Sequence, residues 1–383
     1  MPPVLDRSSV LDNPDLRGRP FVDAYTRLVD TWIVELYDEL FGERSGVALV
    51  ATGGHGRGEL APQSDLDLLL LHDGSIDLGT AQRLWYPMWD AKLKVGHSVR
   101  TVAETLALAS DDLPTATSLL SVRRLAGDAS LATDLAVDSA AQWRKQSKRV
   151  LASLMETVTS RHETTGEVAA ALEPDLKEGR GGLRDVHALS WILAAAPDLD
   201  IPRPESLAGE YDTLLNARVE LHRVTGRAGD VLQLHDQDGV ADRLGIENAD
   251  VLMTEVATAA RRIAWASDEA WFVVRGSLSG GMFKRSPRRQ DLGHGVELCG
   301  ERVHLAEGAV TDELSVLTVA VAAARHRARI GRTTLVTLQS APPLPEPWPP
   351  AARALFVELL RCGPAAISVI ETLDLNDLWL PMV

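Results

Sequence analysis

Apolar positions near the start of the chain switch between helical spacing and short strands. From Phe21 onward they recur every three or four residues, which predicts an amphipathic helix ending near Gly42. Residues 47–72 then read as an apolar strand, a glycine turn, a polar connection and a second strand. A helix over roughly residues 79–93 and a third strand over residues 95–102 follow. Together these segments predict a compact α/β unit.

Beyond residue 102 the pattern is almost wholly helical. Helices are predicted near residues 103–109, 114–126, 128–148, 149–163, 204–226, 248–276 and 311–328, and from Leu183 onward. Other segments are predicted as a Gly-, Ser- and Arg-rich loop at 277–293, a small hairpin at 296–305 and a proline-rich linker at 342–350. Two further helices are predicted after residue 351.

Two carboxylates mark the start of the second strand. Asp65 and Asp67 lie two residues apart, so they point to the same side, while Leu66 between them turns into the core. Paired negative charge at the start of a buried strand is costly unless a cation neutralises it. The sequence therefore predicts a divalent metal site at Asp65 and Asp67. Magnesium suits it, being an oxygen-loving ion commonly shared with substrate phosphates.

The glycine turn ahead of these carboxylates is suited to phosphate. Gly53 and Gly54 have no side chains, so backbone N–H groups can approach a triphosphate closely. Arg57 is placed to neutralise phosphate charge, and the Ser64 hydroxyl to donate a hydrogen bond. Metal ions held by carboxylates can clamp the attacking and leaving oxygens of a phosphoryl group. A strand, a Gly-Gly turn and Asp-x-Asp on the next strand thus predict nucleotidyl transfer.

Composition narrows the class of partner. The 383 residues carry 39 Lys and Arg against 54 Asp and Glu, a formal net charge of −15, which argues against DNA or RNA as the main partner. A nucleotide is still allowed, because a metal ion and a few arginines can meet its phosphates. Two cysteines without metal-like spacing favour a reducing cytosol. No apolar run approaches 18 residues, so no membrane partner is expected, and the N-terminus MPPVLDRSSV lacks a signal-peptide profile.

Three separated stretches carry a family resemblance. GGHGRGELAPQSDLDLLLL, residues 53–71, resembles the nucleotidyltransferase signature of the PII uridylyltransferase/uridylyl-removing enzyme family, whose fold is of the DNA polymerase beta type. WDAKLKVGHSVRT, residues 89–101, and EPDLKEGRGGLRDVHALSWI, residues 173–192, resemble later stretches of the same family. The resemblance implies an α/β nucleotidyltransferase domain followed by a mainly helical domain with a small β-hairpin.

The resemblance also implies a reaction. Members transfer a nucleoside monophosphate from UTP, or in some relatives ATP, to a tyrosine hydroxyl of the trimeric PII nitrogen-signal protein, and pyrophosphate is released. By motif match, Gly53, Gly54, Asp65 and Asp67 are carried over as nucleotide and metal residues. Magnesium is the implied cofactor, and the cytoplasm the implied location.

The domains implied by the resemblance are a flexible N-terminus (1–20), a nucleotidyltransferase domain (21–148) and a helical connecting domain (149–340). A proline-rich segment with terminal helices (341–383) is expected to lead to an HD phosphohydrolase domain outside the chain. The chain has His-Asp dipeptides at His72 and His235, but neither has the further His and Asp residues on helices that a hydrolase metal site requires. Nucleotide removal and glutamine sensing by ACT domains are therefore expected to be missing.

Several assignments stay open at this point. Lys177, Glu178, Arg184 and Asp185 either line the nucleotide pocket or cap the helix that begins near Leu183.

Two histidines have weaker assignments. His55 is expected to be an exposed loop residue, with a substrate contact as the alternative, and His97 is expected to anchor the sheet.

Enzymes of the polymerase beta type usually supply a third carboxylate from a later strand, and residues 95–100 contain no acid. The general base is therefore unassigned. The alternatives to PII modification are a small-molecule nucleotidyltransferase of the same superfamily, such as one acting on aminoglycosides, and a degenerate module that binds PII without chemistry.

Overall fold

A computed structural model of the chain describes residues 4–42, 44–279 and 289–380. The chain divides into two compact units, Met1–Leu278 and Ser279–Val383. The first combines a four-stranded sheet with many helices and the second a small sheet with four helices, in agreement with the predicted class of α/β plus helical structure. Within the described part of the chain, no helix is both long enough and apolar enough to cross a membrane.

The sheet of the first unit has mixed strand directions. Its strands are β1 Val47–Ala51, β2 Leu66–His72, β3 Val95–Arg100 and β4 Arg123–Gly127. They lie in the order β3-β2-β1-β4, with β1 antiparallel to both neighbours and β2 parallel to β3. The three strands predicted from the sequence are confirmed. β4 lies where the sequence predicted the end of a helix.

The helices of the first unit account for most of its length. They are α1 Ser8–Leu11, α2 Gly18–Phe41, α3 Gly53–Gly56, α4 Leu78–Arg83, α5 Tyr86–Asp90, α6 Val102–Asp111, α7 Leu113–Ser118, α8 Ala129–Lys145, α9 Ser147–Thr165, α10 Leu183–Ala195, α11 Ala208–Thr225, α12 Leu234–Leu244 and α13 Ala249–Ser279. Short 3₁₀ turns lie at Leu119–Ser121, Val168–Ala170 and Pro204–Leu207.

Helices cover both faces of the sheet. Leu66, Leu68 and Leu70 of β2 belong to the large core that contains the inner side of α2. Leu69 and Leu71 point to the opposite face and pack with residues of α8. Because both faces are buried, β2 reads as a continuous apolar run rather than an alternating one. Asp67, which follows the same alternation, lies on the α8 face at the end of this run.

The single helix predicted for residues 79–93 is wrong, because this segment forms α4 and α5. Pro87 lies in the first turn of α5. A proline has no N–H to donate to the carbonyl of Arg83 and its ring clashes there, so a helix cannot run through it uninterrupted.

The helix predicted for residues 114–126 is also wrong in its second half. Here α7 and a 3₁₀ turn are followed by β4. β4 pairs with β1, a strand that is distant in the sequence, so local spacing did not reveal it. His235, in the second of the two His-Asp dipeptides, lies within α12.

The described part of the predicted N-terminal segment, residues 1–20, packs against the core of the first unit. It contains α1 and the start of α2. The guanidinium of Arg223 on α11 donates hydrogen bonds to the carbonyls of Leu11, Asn13 and Leu16 at 2.7–3.2 Å. These bonds attach the segment to the helical part of the same unit.

The second unit enlarges the predicted hairpin into a sheet. Its strands, in the order β5-β6-β7-β8, are β5 Arg289–Gly293, β6 Val296–Cys299, β7 Arg302–Leu305 and β8 Arg329–Ile330. Its helices are α14 Ser315–His326, α15 Arg332–Leu338, α16 Pro350–Arg361 and α17 Pro364–Leu375. Most of the loop predicted at 277–293 lies outside the described residues, but its last five residues form β5.

The units differ from the predicted domains. The division after Leu278 lies inside the predicted helical domain of residues 149–340, whereas the predicted boundary at residue 148 lies within the first unit. Residues 342–349 are in neither helix nor strand, as the proline-rich composition predicted.

Candidate active site

The glycine turn joins the ends of β1 and β2. Thr52 follows β1, and its backbone N–H donates to the carbonyl oxygen of Asp67 at 2.9 Å. Gly53 has φ +56°, and a Cβ there would lie 2.9 Å from Oδ2 of Asp67. Only glycine combines this left-handed backbone with such a close approach. The turn therefore brings its backbone directly against the Asp67 carboxylate.

A network of polar side chains supports the turn. His55 is fully buried, so the expectation of an exposed loop residue is wrong. Its Nε2 lies 2.8 Å from Oδ1 of Asp30 on α2. Arg123 of β4 bonds to the same carboxylate at 2.7 Å and also donates to the backbone carbonyls of His55 and Gly56 at 2.9 and 3.2 Å. This network ties the turn to α2 and β4.

The close packing of Gly56 leads to a stability prediction. A Cβ at this position would lie 1.8 Å from the backbone oxygen of Ser121, so the 3₁₀ turn would have to shift. We expect Gly56→Ala to lower the free energy of unfolding by about 3 kcal/mol, as overpacked sites do. Gly54→Ala is the matched control, because its Cβ would meet only Nη2 of Arg57 at 3.7 Å. Chemical denaturation compares the variants, and equal stabilities would refute the packing argument.

The two predicted metal carboxylates lie side by side but in different surroundings. Asp65 is exposed just before β2, whereas Asp67 is partly buried between Gly53 and Gly96. A Cβ at Gly96 would lie 3.1 Å from Oδ1 of Asp67. Burial raises the pKa of Asp67, and the neighbouring charge of Asp65 raises it further. The charges of His55, Lys177 and Arg57 offset only part of this rise, so a divalent cation would stabilise the pair further.

The two carboxylates suit a cation that takes its remaining ligands from water and substrate. Among the described residues, no group of three or more His, Cys, Asp or Glu side chains could hold a metal ion. Two carboxylates fit an ion such as Mg²⁺, which usually takes one or two protein carboxylates and fills its other positions with water and substrate phosphates. A third carboxylate is not found next to the pair in the described part of the chain, and β3 contains no acid.

A cavity of about 610 Å³ lies beside the turn and the carboxylates. This size is in the range of small-molecule and cofactor sites. Its lining includes eight of the predicted site residues: Gly53, Gly54, Arg57, Ser64, Asp65, Asp67, Lys177 and Arg184. The structure thus brings the motif of residues 53–67 together with part of the stretch at 173–192.

The four candidate pocket residues of that second stretch divide into two pairs. Lys177 and Arg184 line the cavity, whereas Glu178 and Asp185 are not among its lining residues. Glu178 accepts an ion pair from Arg184 at 3.0 Å. Asp185 is fully buried and bonds to the guanidinium of Arg161, so of the two alternatives it does not line the cavity. Neighbouring residues on the first turn of α10 point in different directions and therefore have different roles.

Asp185 holds the glycine-rich loop on the start of α10. It accepts hydrogen bonds from the backbone N–H of Gly181 at 2.7 Å and from Nε2 of His162 at 2.9 Å. Burial alone would raise the pKa of Asp185, but the bond from His162 and the charge of Arg161 outweigh it and lower the pKa. The carboxylate is therefore ionised and structural.

Basic side chains line the same cavity as the carboxylates. The described lining residues of this type are Arg57, Lys94, Lys177, Arg184 and Arg218. Asp230 neutralises part of this charge through contacts to Arg218 Nε at 2.6 Å and to Lys177 Nζ at 3.4 Å. Burial would raise the pKa of Asp230, but His222 and Arg218 together lower it strongly. The cavity thus offers cations for phosphate groups next to carboxylates for a metal.

Glu59 holds the Arg57 guanidinium in place. Glu59 Oε2 accepts a hydrogen bond from Arg57 Nε at 2.8 Å, and Nη2 of Arg57 lies over Gly54.

His187 lines the cavity from the helical side. Its Nε2 lies 2.9 Å from the Tyr211 hydroxyl and 3.8 Å from Oε2 of Glu59. Burial lowers the pKa of His187 well below its usual value, and the nearby Arg57 lowers it further, so the imidazole is neutral.

Several lining residues were not found from the sequence. They are Glu59, Lys94, His187, Trp191, Tyr211, Arg218 and Asp230. The first four lie within the stretches that carried the family resemblance and could have been selected there. Tyr211, Arg218 and Asp230 lie on or after α11, where no motif distinguishes them from solvated helix residues.

The chain was compared with known proteins. A family model described as GlnD PII-uridylyltransferase matches residues 149–271. The chain is 41% identical over 381 residues to a bifunctional uridylyltransferase/uridylyl-removing enzyme of Streptomyces coelicolor, covering 94% of the chain and 45% of that protein. The chain is a relative of these enzymes.

Two further relatives carry the same name. The protein of Mycobacterium tuberculosis is 40% identical, covering 92% of the chain and 46% of its own length, and that of Corynebacterium glutamicum is 35% identical, covering 88% and 48%. The suspected family resemblance is confirmed, and the printed names of the relatives describe a nucleotidyltransferase activity, as expected for this family. The chain spans about half the length of these curated relatives.

Proposed function

We propose that the chain transfers a nucleoside monophosphate from UTP or ATP to a tyrosine hydroxyl of the PII protein, and that the first unit is a nucleotidyltransferase of the polymerase beta type. The observation that carries this proposal is the cavity that Asp65 and Asp67 share with five basic side chains and a glycine turn. The description of the matching family model, which names PII, supports the choice of acceptor.

The residues have separate tasks in this proposal. Asp65 and Asp67 would hold Mg²⁺, which supplies charge stabilisation at the phosphoryl oxygens when bound. Arg57, fixed by Glu59, would bind phosphate oxygens over Gly54. The tyrosine oxygen forms a bond to the α-phosphorus, the bond from that phosphorus to the bridging oxygen breaks, and pyrophosphate leaves. The phenolic proton passes to a general base, a role that is not assigned to any described residue.

The helical side of the cavity would bind the rest of the nucleotide. Lys177, Arg184 and Arg218 give it positive charge, and the rings of Trp191 and Tyr211 give it apolar surface. A neutral His187 adds no charge between these cations. This distribution fits a triphosphate whose nucleoside lies toward α10 and α11.

The decisive experiment is a transfer assay with labelled UTP and labelled ATP, Mg²⁺ and purified PII. We expect label on PII with at least one nucleotide, and no label when EDTA is added. Competition between the two nucleotides in the same assay decides the base preference. Absence of label on PII from either nucleotide would overturn the proposal.

The same assay distinguishes the alternatives. Binding of PII without transfer would indicate a degenerate module, for which the lack of a third described carboxylate is the supporting observation. Transfer to an aminoglycoside but not to PII would indicate a small-molecule nucleotidyltransferase. The family match at residues 149–271 does not favour that second alternative.

A further inference from the structure

The strand next to the candidate catalytic strand is at the edge of its sheet. The order β3-β2-β1-β4 gives β3 a single neighbour, β2. The Leu66 N–H donates to the carbonyl oxygen of Lys94, so that carbonyl points toward β2. Because backbone direction alternates along a strand, the N–H and C=O groups of Val95, His97 and Val99 point away from β2.

This edge is open and regular. No hydrogen bond joins the outward backbone groups of Val95, His97 and Val99 to any other described residue. The register with β2 runs without a bulge from Leu66 opposite Val95 to Leu71 opposite Arg100, and β3 contains no proline. Natural proteins usually block such an edge with a bulge, a proline or a covering element. An unblocked edge is a template for a further strand.

The two sides of β3 have different chemistry. Gly96 lies opposite Asp67 in the register and on the same face of the sheet, and its missing side chain leaves Oδ1 of Asp67 accessible from the edge. His97 lies on the other face, where its ring contacts Trp89 at a centroid distance of 5.4 Å. Trp89 in turn contacts Tyr86 at 5.5 Å.

These three rings form an exposed aromatic patch, defined as Tyr86, Trp89 and His97. Tyr86 is 53% exposed and Trp89 43% exposed, and His97 is also exposed. Aromatic side chains of this size are normally buried or form binding surfaces. The patch lies along the same edge as the open backbone of β3.

We propose that the β3 edge docks an extended segment of the acceptor protein, which adds to the sheet as a fifth strand. The residue that carries the reacting hydroxyl lies on the Asp67 face beside Gly96, and its sequence neighbours lie on the aromatic patch. This inference rests on the proposed function, because it names how the protein substrate of the same site is recognised.

The spacing of a sheet supports this arrangement. An added strand would lie about 4.8 Å from β3. A tyrosine side chain on it, pointing along the Asp67 face, would pass over Gly96, where no side chain stands in its way. Alternate residues of a strand point to opposite faces, so the flanking residues would meet the patch. Backbone bonds supply affinity and alternate side chains supply specificity in this mode of recognition.

The test uses the double variant Tyr86→Ala/Trp89→Ala in the full chain. We expect the KM for PII to rise by about tenfold or more, as loss of exposed aromatic anchors does at interfaces, while the KM for the nucleotide stays unchanged. Val137→Ala on α8 is the matched control, being an apolar side chain that is 60% exposed and does not belong to the aromatic patch. The control should leave both KM values unchanged. An unchanged KM for PII in the double variant would overturn the docking proposal.

Hydrogen exchange gives a second, independent readout. On addition of the PII trimer to the wild-type chain, we expect slower exchange at the amides of Val95, His97 and Val99, which point outward. If those amides exchange equally fast with and without PII while transfer proceeds, PII binds elsewhere and the inference is wrong. If wild-type chain shows no transfer at all, the proposed function itself fails, so the two failures are distinguishable.

Discussion

Asp67→Asn is expected to reduce the rate of nucleotidyl transfer at least about 1,000-fold, because it removes the more buried of the two charges that would hold the metal ion. The asparagine has nearly the same size, so the contacts to Gly53 and Gly96 stay in place. The measurement is the initial rate of label transfer to PII at saturating nucleotide and Mg²⁺. A rate close to that of the wild type would refute the metal assignment.

The fold should survive this substitution. Burial and Asp65 raise the pKa of Asp67, so the folded state binds its proton more tightly than the unfolded state does. Above that raised pKa, the ionised carboxylate therefore costs stability, and asparagine removes the cost. We expect Asp67→Asn to unfold at the same temperature as the wild type or slightly above it. Asp73→Asn is the control, because Asp73 is exposed at the far end of β2 and should leave the rate unchanged.

Asp185→Asn is expected to act on stability instead of chemistry. It removes the charge from a fully buried carboxylate that is bonded to Arg161, His162 and the N–H of Gly181. Breaking a buried ion pair leaves the partner charge unpaired and costs about 3–5 kcal/mol. Equilibrium unfolding in urea at pH 7 measures the loss, and Asp198→Asn, at an exposed position after α10, is the matched control.

The pH dependence adds a signed test. Because the pKa of Asp185 is lowered in the folded state, its stabilisation is present above the unfolded pKa of about 3.9 and is lost as the pH falls through the folded value. The stability gap between wild type and Asp185→Asn should therefore shrink in acid below pH about 4. A gap that is equally large at the lowest pH would show that the charge of Asp185 is not its source.

The cavity is lined by residues from both sides of the predicted domain boundary at residue 148. Asp65 and Asp67 lie on one side of that boundary, and Lys177, Arg184 and Arg218 lie on the other, yet all five line the same cavity. A fragment that ends at residue 148 would retain the carboxylates without most of the opposing positive charge. The sheet and the following helices therefore act as one chemical unit within Met1–Leu278.

Local features were determined by the sequence alone. The strand, the Gly-Gly turn and the placement of Asp65 and Asp67 on one side follow from a two-residue period and from the conformations open to glycine, which depend on neighbours only. The long helices α2 and α13 follow in the same way from apolar spacing over several turns. The family resemblance extended these local motifs to a reaction.

Only the tertiary structure decided which distant residues share the cavity and which side chains are merely structural. Arg184 and Asp185 are adjacent in sequence, but one lines the cavity and the other is buried in an ion pair, because helix geometry turns them apart. The pairing of Arg218 with Asp230 and the position of β3 at the sheet edge depend on long-range packing and strand order. Periodicity reports the face of an element but not the partner that covers it, and that partner determines burial, charge and access.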